Sequence, residues 1–573
     1  MAAVNWLLWA SAVPYGDAPD EPSHLDTAQF VAAHGRLPTF GPDADVYVRL
    51  DQIGIPIEPH ALAPPLTYLV DGALIRLLPV APPVATRLGS LLAALAAVAL
   101  TYRFVRSVLP ERPALALPSA ALLAAVPQFS FHAAVANSDI FALAAVLAVA
   151  CLWPSVTRPL GALVFGLAIG AALLSKYTAY PAAVAAVLAA SWQITVSGTA
   201  WERGRSGRLA GPGDVGRPGE TSAVPWSVRI RWTLALLGFV ALAAALVAGP
   251  WLLHNWRLYG QPWPLGVADA ALRALTPPVD VPGAPAPRHP WDVEYLRSWW
   301  VITFRSFWAG FDRVSLFAPD RVYAALAVAL MIGAAGLVRR LAAPSAPARA
   351  AALLQSPTGL LIVGWPAATL LAAVIQSFGR YYPVHGRYLL VLLPLVALAL
   401  VAGWRAIVPR RWAPHAPWAL VAAMAALNLY CLLGVVVPHY YGASGTRVAV
   451  TVDSPLPGDL AAQPLTIRGW AVVTGRPAWQ PGVVGGAPAW YQPAASVAIT
   501  VDGAPPTELS GGAGIERPDV ARVLGAPAVT RAGFTYEWDP RAVGPGVHTL
   551  AVCAADPAAE PTCVPLPLRV PAP

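Results

Sequence analysis

Close to the start of the chain, directly after a short apolar stretch, stands an acidic doublet bracketed by prolines: Asp17-Ala-Pro-Asp20-Glu21-Pro-Ser-His24. A solvated loop is the plain account of such acids, but ionisable groups held against a membrane are functional candidates by default. Further on come Glu58-Pro-His60-Ala-Leu-Ala-Pro64-Pro65-Leu66-Thr-Tyr68 and Asn137-Ser-Asp139. His24, His60 and His385 with Asp20 and Glu21 could hold a divalent metal ion, although their spacing has no tight ligand signature. Lys176 is the sole lysine; every other cation is arginine, among them Arg257 and Arg387. A chain that otherwise writes its cations as arginine and keeps one lysine suggests that arginine would not serve there. The competing account is a helix-end anchor reaching to the headgroups.

These groups must be positioned by membrane helices. The chain has 573 residues, 57% hydrophobic and 12% charged, against about 25% charged in soluble domains. Its apolar residues fall in blocks at 91–100, 114–126, 140–153, 232–253, 322–338, 359–375, 388–404 and 417–437. Several approach the roughly 20 residues that cross a hydrocarbon core. The sequence predicts about eleven transmembrane helices, the first of them incomplete at residues 2–13. The net charge of +8 is a topology signal and not a nucleic-acid footprint. Alternate loops collect Arg103, Arg106 and Arg112, then Arg158, Arg203–Arg231, Arg339–Arg349 and Arg405–Arg411, which the positive-inside rule assigns to the cytoplasm. The N-terminus is then inside, and segments 14–83, 127–138, 254–321 and 376–387 face out. The Gly-, Arg- and Ser-rich segment 193–228 reads as a disordered cytoplasmic loop. The aromatic run from Trp299 to Phe311 reads as an interfacial belt, with stacking on a sugar or isoprenoid as the sharper alternative.

The texture changes after residue 446. Short β-favouring runs at 448–452, 465–471, 496–501, 534–538 and 549–552 alternate with turn signals such as Asp502-Gly503 and Pro545-Gly546. Such spacing predicts an immunoglobulin-like β-sandwich over 446–573, outside the cytoplasm, after a membrane domain over 1–437. Cys553 and Cys563 flank a turn signal within it and are expected to pair there. Cys151 and Cys431 lie in apolar spans as small hydrophobes.

An acidic pair after the first span, a Pro-Pro-Leu-x-Tyr segment and Arg87-Leu88 opening the next helix resemble the GT-C glycosyltransferase superfamily. The protein O-mannosyltransferase and aminoarabinose transferase branches are the nearest. Pro127-Gln-Phe with Asn137-Ser-Asp139, Leu174-Ser-Lys176-Tyr-Thr, Gly249-Pro-Trp251…Asn255-Trp-Arg257-Leu-Tyr-Gly260 and His385-Gly-Arg387-Tyr-Leu389 follow in order. The Pro-Pro-Leu segment lacks the adjacent lysine of the aminoarabinose branch. The resemblance implies a bacterial, multi-pass enzyme of the plasma membrane that moves a sugar from a polyprenyl-phosphate donor to an envelope glycan, lipid or protein. By the same resemblance the general base is Asp20 or Glu21, with Asp20 the matching position. Lys176, Arg257 and Arg387 would hold the leaving phosphate. His24, Glu58, His60, Asn137 and Asp139 join them as substrate-binding candidates, Asn137 and Asp139 competing with a helix-capping role. The tail resembles Ig-like modules of bacterial surface enzymes, with Trp470 a core residue in preference to a ligand-facing one. The rival class is a transporter or flippase of lipid-linked saccharides. It would place its ionisable groups near the bilayer midplane between broken helices, whereas here they gather in outer loops.

Overall fold

The computed structural model describes residues 2–39, 43, 62–209, 226–263, 293–342, 351–380, 385–442, 446–455, 461, 463–486, 489–505, 509–524 and 526–571. The helical part opens with α1 (Ala2–Ala12) and α2 (Glu21–His34), followed by α3 (Leu66–Leu77) and α4 (Pro82–Val108). Next come α5 (Ala116–Ala125), α6 (Pro127–Ala134), α7 (Asp139–Leu152), α8 (Pro159–Ser175), α9 (Tyr180–Leu209) and α10 (Trp226–Tyr259). After them run α11 (Val293–Ala309), α12 (Asp320–Leu341), α13 (Pro357–Arg380), α14 (Leu393–Ile407) and α15 (Ala416–Cys431). A two-residue hairpin, β1 (Gly310–Phe311) with β2 (Leu316–Phe317), follows α11. A 3-10 segment, Gly386–Leu392, leads into α14.

Among the described residues, seven helices are long and apolar enough to cross a membrane, or eight if a bent pair counts as one. That is fewer than the eleven expected from the blocks of hydropathy. Each apolar block does fall mainly on helical segments, four of them running past the end of a single α-helix; the difference lies in the short ones. The bent pair is α5 and α6, which meet at 65°. Its cause is legible in Val126-Pro127: a residue before proline is pushed out of the helical region, and Val126 is extended at ψ 128°. A broken helix in a membrane needs new partners for the groups it frees. Asn428 of α15 supplies them, donating to the Ala125 carbonyl at 3.0 Å and to Ser130 Oγ at 2.7 Å. Its own oxygen accepts from Trp9 Nε1 at 2.9 Å, which ties in α1.

Segment 193–228 is not wholly a linker, since α9 continues through it to Leu209 and α10 begins at Trp226. The aromatic run also divides. Trp299, Phe307, Trp308 and Phe311 are buried while Trp300 is 66% exposed, so most of the run packs inside the protein and only part of it faces outward. Close helix crossings rest on small residues: a Cβ on Gly336 would lie 2.0 Å from the Gly403 carbonyl, so α12 and α14 touch through backbone.

The tail is an antiparallel two-sheet sandwich. One sheet has the order β3 (Arg447–Ser454), β4 (Leu465–Gly475), β8 (Gly533–Trp538), β7 (Leu509–Ile515), with β5 (Trp490–Pro493) paired to β4. The other has the order β10 (Ala559–Val570), β9 (Gly546–Asp556), β6 (Ser496–Val501). Alternate residues such as Val448, Val450, Leu550, Val552, Leu566 and Leu568 fill the space between them. Cys553 faces Cys563 across the β9–β10 ladder, their Cα atoms 4.0 Å apart and their sulfurs bonded. Trp470 is buried on the other side of its sheet with Val520 and Val529.

Replacing Asn428 by alanine removes three hydrogen bonds and leaves buried groups of α1 and of the α5–α6 break without partners, at about 1–3 kcal/mol for each orphaned group. We expect Asn428→Ala to lower the melting temperature of the detergent-solubilised protein clearly below that of the parent, and unchanged melting would show that the break is held elsewhere.

Candidate active site

Two ion pairs and one clamp organise the face of the helical domain where α7 starts, α8 ends and the Gly386–Leu392 segment begins. The clamp joins Glu21 to Arg87, both essentially without solvent exposure. Glu21 Oε1 accepts from Arg87 Nε at 2.8 Å and from the Ala136 amide at 3.0 Å. Its Oε2 accepts from Arg87 Nη2 at 2.8 Å and from the Gly16 amide at 3.1 Å. The remaining donors of Arg87 reach the carbonyls of Ala10 and Val13 at 2.8 Å and of Pro14 at 3.2 Å. Every lone pair of the carboxylate and every donor of the guanidinium is thereby used. In this geometry Glu21 has no free acceptor for a substrate proton, which sets it apart from Asp20, the other acid of the expected pair.

The clamp fixes the chain immediately before α2, and there Asp20 adopts a left-handed conformation at φ 62°. Its Oδ2 lies 2.7 Å from Arg387 Nη2, and 27% of its side chain remains accessible. Arg387 is set by its neighbour Gly386, where a Cβ would fall 2.2 Å from the backbone nitrogen of Phe307. The Gly386 amide donates to Ser306 Oγ at 2.7 Å, so the segment is sewn to α11.

The second pair is Lys176 with Asp139, 2.8 Å apart and 19% and 3% exposed. Asp139 opens α7 and Lys176 follows the last residue of α8. The two pairs meet at Tyr388, whose ring centroid lies 5.2 Å from Lys176 Nζ and 5.0 Å from Arg387 Cζ. Arg387 Nη2 also donates to the Tyr388 hydroxyl at 3.3 Å. Asp139 Oδ2 and Arg387 Nε are buried without a hydrogen-bond partner, which leaves one acceptor and one donor unspent at the centre. His385 stacks on Tyr388 at 6.1 Å. Burial, helped by Arg387, pushes its imidazole down to about 4, so the ring is neutral at pH 7.

The other candidates divide. Asn137 turns its oxygen to the amides of Asp139 and Ile140 at 3.0 and 3.2 Å, which is the capping role. His24 is buried against Tyr68, with Nδ1 3.2 Å from the hydroxyl. Arg257 is exposed in the last turn of α10, and no ion pair to it forms among the described residues. Glu58 and His60 lie outside the described residues. Among those described, no three His, Cys, Asp or Glu side chains converge as a metal site. Two residues to which the sequence motifs assign no role, Arg87 and Tyr388, are central; both lie inside those motifs, beside Leu88 and Arg387.

Fold and site together define a multi-pass membrane protein with a buried set of paired charges at one helix-end face and a β-sandwich beyond it. Residues 63–201 match the family model described as dolichyl-phosphate-mannose-protein mannosyltransferase, so the resemblance to the GT-C glycosyltransferases rests on the stretch that carries Arg87, Asp139 and Lys176. Two crystal structures of ArnT from Cupriavidus metallidurans, one bound to undecaprenyl phosphate and one in the apo state, are similar at 16% and 15% identity, with TM-scores of 0.27 and 0.24. Each similarity covers 70% of this chain and 76% of that one. No curated protein matches the chain.

Removing one partner of a buried ion pair costs about 3–5 kcal/mol because the other charge is left stranded. Glu21→Gln should therefore depress the melting temperature and membrane yield far more than Asp20→Asn, whose carboxylate is part-exposed. Equal depressions in thermal melts of the two purified variants would contradict the division of labour between neighbours.

Proposed function

We propose that this protein is a membrane glycosyltransferase that moves a sugar from a polyprenyl-phosphate donor to an acceptor hydroxyl outside the cytoplasm. The observation that carries the reading is the meeting of Asp20–Arg387 and Asp139–Lys176 around Tyr388, with Asp20 the accessible acid of the set. In this mechanism the donor phosphate draws Arg387 and Lys176 onto its oxygens, and Asp20 loses part of its counter-charge. The freed carboxylate takes the proton of the acceptor hydroxyl as that oxygen bonds to the anomeric carbon. The bond from the anomeric carbon to the phosphate oxygen breaks, and the two cations stabilise the charge that develops on the leaving group. Asp139 holds Lys176 in place throughout.

The helix ends support the outward placement. Arg106, Arg339, Arg340 and Arg405 stand in the last turns of α4, α12 and α14, and the positive-inside rule draws such ends to the cytoplasm. The site residues lie at the opposite ends of the bundle: Asp139 starts α7, whose far end leads to Arg158, and Arg387 stands at the head of the span that ends at Arg405. Charges at helix ends favour a transferase over a transporter, whose ionisable groups belong near the midplane.

Asp20→Asn should lower transfer of radiolabelled sugar from a lipid-linked donor by about 100-fold or more, the usual contribution of a general base. Lys176→Arg keeps the charge but replaces a compact ammonium with a planar fork between Asp139 and Tyr388, and should cost about tenfold or more. Wild-type transfer by well-inserted Asp20→Asn membranes would dismiss the mechanism, and full activity of Lys176→Arg would return that residue to a helix-end anchor.

A further inference from the structure

The β-sandwich is joined to the helical domain at more than its covalent link. The stretch after β4 reaches back to α1 and the loop that follows it. The Gly485 amide donates to the Ala10 carbonyl at 2.8 Å, and the Tyr15 amide donates to the Gly485 carbonyl at 3.1 Å. Trp479 Nε1 donates to Ser11 Oγ at 3.2 Å, and Arg476 Nη2 lies 3.1 Å from Asp17 Oδ2. Asp17 stands on the same short loop as Asp20, three positions earlier.

At this seam lies a partly open cavity of about 100 Å³. Its aromatic walls are Tyr440, Trp470 and Tyr491, and its charged groups are Asp17, Arg447 and Arg476. The sandwich contributes most of the lining, while Asp17 and Tyr440 come from the helical domain. Several of these groups are held in place. Arg447 packs over the Tyr440 ring at 5.5 Å and hydrogen-bonds His439, and the Tyr440 hydroxyl donates to Asp312 Oδ1 at 3.3 Å.

The chemistry of the lining selects a class of ligand. Arginines repel a cation, and a carboxylate disfavours an anion in the same space. A neutral polyhydroxyl ring suits both: its hydroxyls donate to Asp17 and accept from the guanidinium groups, while its C–H face lies on an aromatic ring. The volume takes the edge of one ring, and the open side lets the rest of a saccharide extend.

We propose that this cavity is an acceptor subsite that binds one sugar ring of a neutral glycan and presents the neighbouring hydroxyl towards the Asp20 loop. The sandwich thereby acts as half of the acceptor-binding surface. This inference rests on the glycosyltransferase reading for the word acceptor, though sugar binding itself does not.

The test is saturation-transfer difference NMR on the full chain in detergent micelles, with the methyl glycosides of mannose, glucose, galactose and arabinose as probes. At least one glycoside should receive saturation on its ring protons beyond an empty-micelle control. Tyr491→Ala should weaken that binding about tenfold, the scale of one aromatic face, and Tyr491→Phe should restore it. Ala449→Trp, which fills the cavity from β3, should abolish binding independently of Tyr491. No glycoside above the control, or equal binding by the parent, Tyr491→Ala and Ala449→Trp, would overturn the subsite. Asp20→Asn should bind the glycosides like the parent. If that variant also transfers sugar normally, the transferase reading falls while Tyr491-dependent binding still supports a sugar-binding cavity.

Discussion

Where α1 ends and α2 begins, a carboxylate and a guanidinium with almost no exposure to solvent meet, and their remaining hydrogen-bonding capacity is taken up by backbone. Glu21 receives the amides of Gly16 and Ala136, and Arg87 reaches the carbonyls of Ala10, Val13 and Pro14. Two charges taken from water are costly, and only a saturated geometry makes such a pair tolerable. The result is a rigid corner that joins α1, the entry to α2, the head of α4 and the turn before α7. Asp20 is the next residue, so its position follows from this corner. Asp20 holds a left-handed conformation at φ 62°, which persists only where the surroundings over-determine it, and the saturated corner beside it does so.

From that corner the charge pairs follow as a balanced set. Asp20 with Arg387 and Asp139 with Lys176 leave the resting site neutral overall, with Tyr388 between the cations. Neutrality lets four ionised groups stay at low exposure, and it also sets how a ligand would act. A phosphate arriving here competes with both carboxylates for the cations, and the acid that can give way is the one still reached by solvent. Binding of the donor and release of the base become one event in the proposed mechanism, with Asp20 proposed as the base and Asp139 as the holder of Lys176.

Much of this was legible in the residues. Hydropathy marks the helices, and the order of the motifs singles out Asp20, Asp139, Lys176 and Arg387 together. Their type and spacing did not tell Asp20 from Glu21, because the difference lies in Arg87, 66 residues away. Nor could a hydropathy window see that Val126-Pro127 breaks a helix whose halves are then satisfied by Asn428. In the sandwich, β7 was hidden by its glycines. β10 was hidden by Pro561, Pro565 and Pro567, which an edge strand tolerates because its outer amides have no partner. The Arg257 expectation came from motif order alone, and no ion pair to it forms among the described residues. The cavity at the seam was beyond reach for the same reason, since Asp17 stands more than 400 positions from every other residue of its lining.

The central claim is that Lys176 and Arg387 together receive the donor phosphate. A cryo-electron microscopy map of the full chain with a bound polyprenyl phosphate tests it directly. The account predicts phosphate density between Lys176 Nζ and the Arg387 guanidinium, with oxygens about 2.7–2.9 Å from both and Asp20 released from Arg387. Phosphate density at the exposed Arg257, with Asp20–Arg387 still closed and none between Lys176 and Arg387, would contradict it.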